Sequence, residues 1–250
     1  MYAGVYGCMK GDWAMNDTRQ GAPLQALLGL QWPPIAVAFR ASAPTDLPQV
    51  EAAGPSGCTY WKLAAEGKTF YTEATDHYNC PIGSFTHGIE LPPAKAQELE
   101  GLVGTMIGLE YIRQEEIPTI PRRDAPFGVA LYGLLSDAQF DADVVLVRGN
   151  AKQMMLIAEA AGAAGLSGGN ALMGRPTCAM IPATMQSGQV TTSLGCIGNR
   201  VYTGLADDEF YAAIPGPKLA LLLDKLATIV AANLELERFH RTRMSGNAST

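Results

Sequence analysis

"LLGLQWPPIAVAFR", residues 27–40, places a Leu-Leu start and a Pro-Pro turn ahead of an apolar run that ends in arginine. A run such as Ile35 to Phe39, apolar at every position, reads as a strand buried on both faces. "LLSDAQFDADVVLVR", residues 134–148, follows the same plan, with Val144 to Val147 as its buried strand. Such a likeness calls for a search for an internal repeat before any motif is weighed.

The likeness continues in chain order. After the first strand comes "CTYWKLAAEGKTFYTEATDHYNCPIG" (58–83), and after the second "CAMIPATMQSGQVTTSLGCIG" (178–198). Each has a Cys, a short helical or irregular stretch, a glycine (Gly67, Gly188), an alternating segment, and a second Cys with Ile-Gly close behind. The alternation predicts strands over 69–75 and 189–194. Residues 90–112 and 213–236 then match as helices begun by proline, which a first helical turn tolerates.

The fold expected is a single α+β domain of two related halves, an internal duplication about a pseudo-two-fold axis. Each half reads strand–Cys–strand–Cys-x-Gly–helix. The first half spans 21–112, the connector 113–127 and the second half 128–243. Residues 1–20 form an N-terminal arm and 244–250 a tail, both expected to be poorly ordered. The second half carries an extra helix over 150–164 and a glycine-rich stretch, "GLSGGNALMGR" (165–175). That stretch fits neither the phosphate-loop nor the dinucleotide fingerprint, since no strand leads into it.

Charge excludes some functions. The chain carries 18 Lys and Arg against 24 Asp and Glu, a net charge of −6, which argues against nucleic acid as a partner. The short basic clusters, Arg122-Arg123 and Arg238 to Arg243, read as a solvated loop and a helix end. The first 21 residues lack the basic start and apolar run of a signal peptide. The apolar run "LALLLDKLATIVAANLELE" is broken by Asp224 and Lys225, so it reads as an amphipathic helix and not a membrane span. A cytoplasmic protein with reduced thiols is expected, with no membrane partner; a homo-oligomer stays open.

The repeat gives the cysteines their meaning. Of five, Cys8 lies outside it, while each half supplies a pair: Cys58 with Cys80, and Cys178 with Cys196. Four sulfurs meeting at the axis suit an iron–sulfur cluster such as [4Fe-4S], or alternatively a tetrahedral zinc, although compact C-x₂-C spacings are absent. Two of three histidines flank Cys80. His77 with Asp76 makes a local acid–base element, and Arg200 a candidate holder of a small anionic substrate. His87 and His240 read as surface residues. The leading expectation is a cysteine-ligated iron–sulfur or other metal protein, an enzyme or not, acting on a small molecule between the halves. Two alternatives stand beside it. One is a metal-free thiol enzyme with Cys80 or Cys196 as nucleophile and His77 as base. The other is a small-ligand-binding module whose cysteines are structural.

"LGLQWPPIAVAF", then Cys58 with "AAEGKTFY", then "CPIG" and "LGCIGNR" together resemble the family catalogued as domain of unknown function 169, over roughly residues 24–216. That resemblance implies an uncharacterised cytoplasmic protein of bacteria and archaea, frequent in anaerobes. It implies no reaction, but it favours an oxygen-sensitive cofactor such as a cluster.

Overall fold

The computed structural model describes residues 20–167 and 175–246. Cys8 and most of the N-terminal arm, residues 168–174 of the glycine-rich stretch, and residues 247–250 lie outside them. The described chain is a mixed α and β structure built on one antiparallel sheet. The strands are β1 (Ile35–Arg40), β2 (Phe70–Glu73), β3 (Val129–Leu134), β4 (Val144–Asn150), β5 (Thr191–Ser193) and β6 (Glu209–Pro215), and their order across the sheet is β2-β3-β1-β4-β6-β5. β1 and β4 pair at the centre, Ala36 opposite Val145.

Helices cover both faces, which is why the central strands are apolar at every position rather than at alternate ones. Ala36, Val145, Val147, Ala212 and Ile214 point to one face, where they pack with α1 (Gly21–Leu28), α5 (Ala151–Ala163) and α8 (Leu219–Gly246). Ile35, Val37, Val144, Leu146, Tyr211 and Ala213 point to the other, against α2 (Cys58–Ala65) and α6 (Met180–Ser187). On that second face lie also the short helices α3 (Pro81–His87) and α7 (Ile197–Thr203), α7 against α2 and α3 against the turn that leads into α6. α4 (Pro93–Gly108) buries none of its residues.

Two strands depart from the sequence reading. β3 was not anticipated, and the helix expected over 213–236 begins only at Leu219, because Ala213 to Pro215 belong to β6. Helix propensity favours the Ala-Ala pair of β6, and burial on both faces removes the alternation that would mark a strand; pairing with β4 overrides the local preference. This also corrects the match of 90–112 with 213–236. α4 precedes β3 in the chain whereas α8 follows β6, so the two helices hold different places. α8 continues to Gly246, three residues into the segment expected to be irregular, supported by Arg238–Glu235 and Arg241–Glu237 pairs one turn apart.

No described helix is long and apolar enough to cross a membrane.

Candidate functional site

Each of the four cysteines in the described chain is free, and each sits at the start of a helix. Cys58 opens α2; Cys178 lies in the 3-10 turn Thr177–Ala179 that leads into α6; both are buried. Cys80 is the N-cap of α3 and Cys196 the N-cap of α7, and both are half-buried. Small hydroxyl residues tie the members of each pair. Ser56 Oγ accepts the Cys58 N–H at 3.4 Å and lies 3.5 Å from Cys80 Sγ. Thr177 Oγ1 accepts the Cys196 N–H at 2.6 Å.

The pairs then meet. Burial pushes the Cys58 thiol up to about 12; the neighbouring Asn199 amide opposes that rise, while the thiols of Cys80 and Cys196 lie close enough to add to it. Burial likewise raises Cys178 well above the ordinary thiol range, and Cys58, Cys80 and Cys196 all contribute. Residues separated by more than a hundred positions are thus within electrostatic reach of one another. Among the described residues, no group of three or more His, Cys, Asp or Glu side chains is placed to hold a metal ion.

The contacts cross between the pairs. Thr86 Oγ1, on α3, donates to Cys178 Sγ at 3.2 Å. Asn199, on α7, lies beside Cys58. It is 1% exposed, yet neither Nδ2 nor Oδ1 completes a hydrogen bond within the described chain.

Close approach fixes two glycines. A Cβ on Gly83 would stand 2.8 Å from Cys80 Sγ. Gly195 has φ +81°, a conformation that favours glycine in the turn before Cys196, and the nearest atom to a Cβ there would be the side-chain end of Leu205, Cδ2, at 2.6 Å.

Both histidines near Cys80 are buried, which corrects the reading of His87 as a surface residue. His87 Nδ1 lies 2.7 Å from the Gly83 carbonyl, which can only accept, so Nδ1 carries the proton and Nε2 is bare. Burial lowers its pKa, and Arg123 lowers it further. His77 Nε2 is 2.8 Å from Thr72 Oγ1, and burial, then His87, takes its pKa down to about 3. Asp76 accepts from the Glu73 N–H at 2.8 Å and closes a capping box over residues 74–77. Arg200 donates to the carbonyls of Leu194 (2.6 Å) and Ala206 (2.7 Å), bracing the turns on either side of α7 rather than pairing with the Asp207 or Glu209 carboxylates. His240 lies on the exposed end of α8.

A cleft beside this face is lined by Trp32, Lys62, Arg148 and Tyr211. Arg148 there is already engaged: it pairs with Glu209, donates to the carbonyls of Thr203 and Gly204, and lies 4.3 Å over the Trp32 ring.

Of the residues singled out in the sequence, the four cysteines lie within electrostatic reach of one another, while Asp76 and Arg200 serve local backbone structure. Asn199, Thr86, Ser56 and Thr177 were missed. Asn199 stood inside the quoted "LGCIGNR", but nothing in a sequence marks an amide as buried. Residues 23–225 match the family model described as uncharacterised ArCR, domain of unknown function 169. No curated protein and no solved structure matches the chain.

Proposed function

The chain belongs to the uncharacterised family domain of unknown function 169, and we propose that it is an iron–sulfur protein whose cluster is held by Cys58, Cys80, Cys178 and Cys196. The observation that carries this reading is the mutual approach of four free thiols from two distant parts of the chain. The donor set is all-thiolate, as clusters prefer. Zinc is the alternative occupant, taking the same four sulfurs at about 2.3 Å from one central atom. A bound cluster would supply electron-carrying or Lewis-acid chemistry. The chain's own residues would bring the thiolates together, release their protons on loading and keep bulk water from the buried pair.

The metal-free thiol enzyme has less support. A base needs a pKa near the working pH, and burial takes His77 to about 3.

We also infer an internal duplication. The order β2-β3-β1 followed by β4-β6-β5 reads the same from either edge once β1, β2 and β3 are equated with β4, β5 and β6. Cys58 and Cys178 then follow the equivalent first strands, and Cys80 and Cys196 the equivalent second ones. A reducing, cytoplasmic setting accords with four unpaired thiols.

The test is iron and acid-labile sulfide content, with a visible spectrum, on protein purified without oxygen. The expected result is about four irons and four sulfides per chain, as for a [4Fe-4S] centre, lost in Cys80→Ser and Cys196→Ser. Colourless protein without iron overturns the reading.

A further inference from the structure

The motif "QWPP" (31–34) ahead of β1 takes no part in the cysteine site. Its tryptophan and first proline line the cleft that also holds Arg148, next to the buried strand residues Ile35 and Leu146. A residue before proline is held out of the helical region, which restricts how the chain can present Trp32. The rest of the cleft comes from the parts of α2 and α7 that lie away from their cysteines: Lys62 and Ala65 on the one, Thr203 on the other. From Cys58 to Ala65 the helix rises about 10 Å, so the cleft and the thiols are separate places on one face.

The lining is chemically one-sided. The chain as a whole is acidic, at −6, yet the cleft is lined by two basic side chains, Lys62 and Arg148, and by no carboxylate. Arg148 is fully committed: Glu209 neutralises it, the Thr203 and Gly204 carbonyls accept from it, and its guanidinium lies over the Trp32 ring. It is a fixed wall that holds the indole in place. Lys62 is different. Its ion-pair partner among the described residues is Glu66, at 3.8 Å, with both side chains 43% exposed. A pair so long and so exposed is worth little, which leaves the ammonium available to another anion. Beneath it, Ile35, Leu146 and Ala65 offer hydrocarbon.

We propose that this cleft binds a small carboxylate with a compact apolar body, the carboxylate pairing with Lys62 Nζ and the hydrocarbon resting on Ile35, Leu146 and Ala65. Size sets the class of ligand. A cleft of about 300 Å³, open to solvent at its mouth, stands at the low end for small-molecule sites and is too small for a nucleotide or a flavin. Charge sets the sign. A carboxylate gains a charge-assisted hydrogen bond from the ammonium, roughly twice as strong as a neutral one, while a cation of the same shape would face two like charges. The site neither needs the cluster nor touches the cysteines.

The test titrates the full-length protein with sodium propionate, sodium chloride holding the ionic strength constant, and follows the tryptophan indole N–H signals by nuclear magnetic resonance. The chain has three tryptophans, and Trp32→Phe assigns the signal in question. The expected result is a saturable shift of the Trp32 signal, with a dissociation constant on the order of millimolar for so small a ligand. Propionamide, which keeps the shape and lacks the charge, should bind about tenfold more weakly, and so should propionate on Lys62→Met. Should Lys62→Met fail to fold, Lys62→Gln is titrated in its place and decided by the same outcomes. A Trp32 signal that does not shift overturns the inference. So does propionamide binding as tightly as propionate, or an unchanged constant in the Lys62 variant. A shift that chloride alone reproduces is an adventitious ion only and overturns it as well. None of these outcomes bears on iron content, and protein without iron leaves the cleft as described.

Discussion

Replacing Glu209 by alanine leaves the guanidinium of Arg148 buried without its counter-charge. The two side chains are only 8% and 14% exposed, and Arg148 meets the carboxylate through both Nε and Nη2. Breaking a buried pair from one side costs about 3–5 kcal/mol. Three remaining contacts soften the loss: the Thr203 carbonyl at 3.2 Å, the Gly204 carbonyl at 2.6 Å and the Trp32 face. One further bond is lost, since Glu209 also accepts the Ala206 N–H at 2.9 Å. The net expectation is the low end of that range, about 3 kcal/mol, roughly a hundredfold in the folded-to-unfolded ratio. For a chain of this size it lowers the thermal midpoint by about 6–12 °C. Urea unfolding followed by tryptophan fluorescence reads it directly. A loss under about 1 kcal/mol would place the pair among solvent-screened surface pairs and refute the argument. Glu209→Leu combined with Arg148→Met should recover part of the stability, because an apolar pair needs no counter-charge, while the Thr203 and Gly204 carbonyls stay without their donor.

Other expectations follow from the same geometry. His77 is depressed from the usual 6.5 to about 3, so the unfolded chain binds the extra proton between those values; stability is full above pH 6.5 and falls with pH through the window. His77→Asn should flatten the curve by up to about 1.4 kcal/mol per pH unit, measured by urea unfolding from pH 7 to 4.5, and equal slopes would refute it. In cluster-free protein, iodoacetamide should modify the half-buried Cys80 and Cys196 before Cys58 and Cys178, as peptide mass mapping would show; uniform rates would contradict the burial described. Gly195→Ala should cost about 1–2 kcal/mol from its positive φ alone, read by urea unfolding; unchanged stability would count against a fixed turn there.

The parts of this molecule that announce themselves in sequence are those where one local cause dominates. β1 and β4 were legible because their runs Ile35 to Phe39 and Val144 to Val147 are apolar and β-branched together. The cysteine turns were legible because Gly83, Gly195 and Pro81 mark them. β6 was not, because Ala212-Ala213 prefers helix locally and only its neighbours β4 and β5 make it a strand. β3 hid for a related reason: its burial is set by β1 and β2 on either side, not by any pattern of its own. His87 looked like a surface residue because imidazole is polar, yet a single carbonyl, Gly83 O, suffices to bury it as a neutral ring. Asn199 was unreadable for the deepest reason, since its neighbour in the fold, Cys58, lies more than a hundred residues away in the chain.

The crossed contacts, Thr86 to Cys178 and Asn199 to Cys58, join the two segments like clasped hands, each holding the other's wrist. Neither grip can be loosened or refitted alone. Changes at Asn199 and Cys58 should therefore travel together as sequences diverge, and so should changes at Thr86 and Cys178. A chain cut in the stretch between the two segments would yield two pieces, each lacking one hand of both grips, and the buried cysteines would regain these neighbours only when the pieces met.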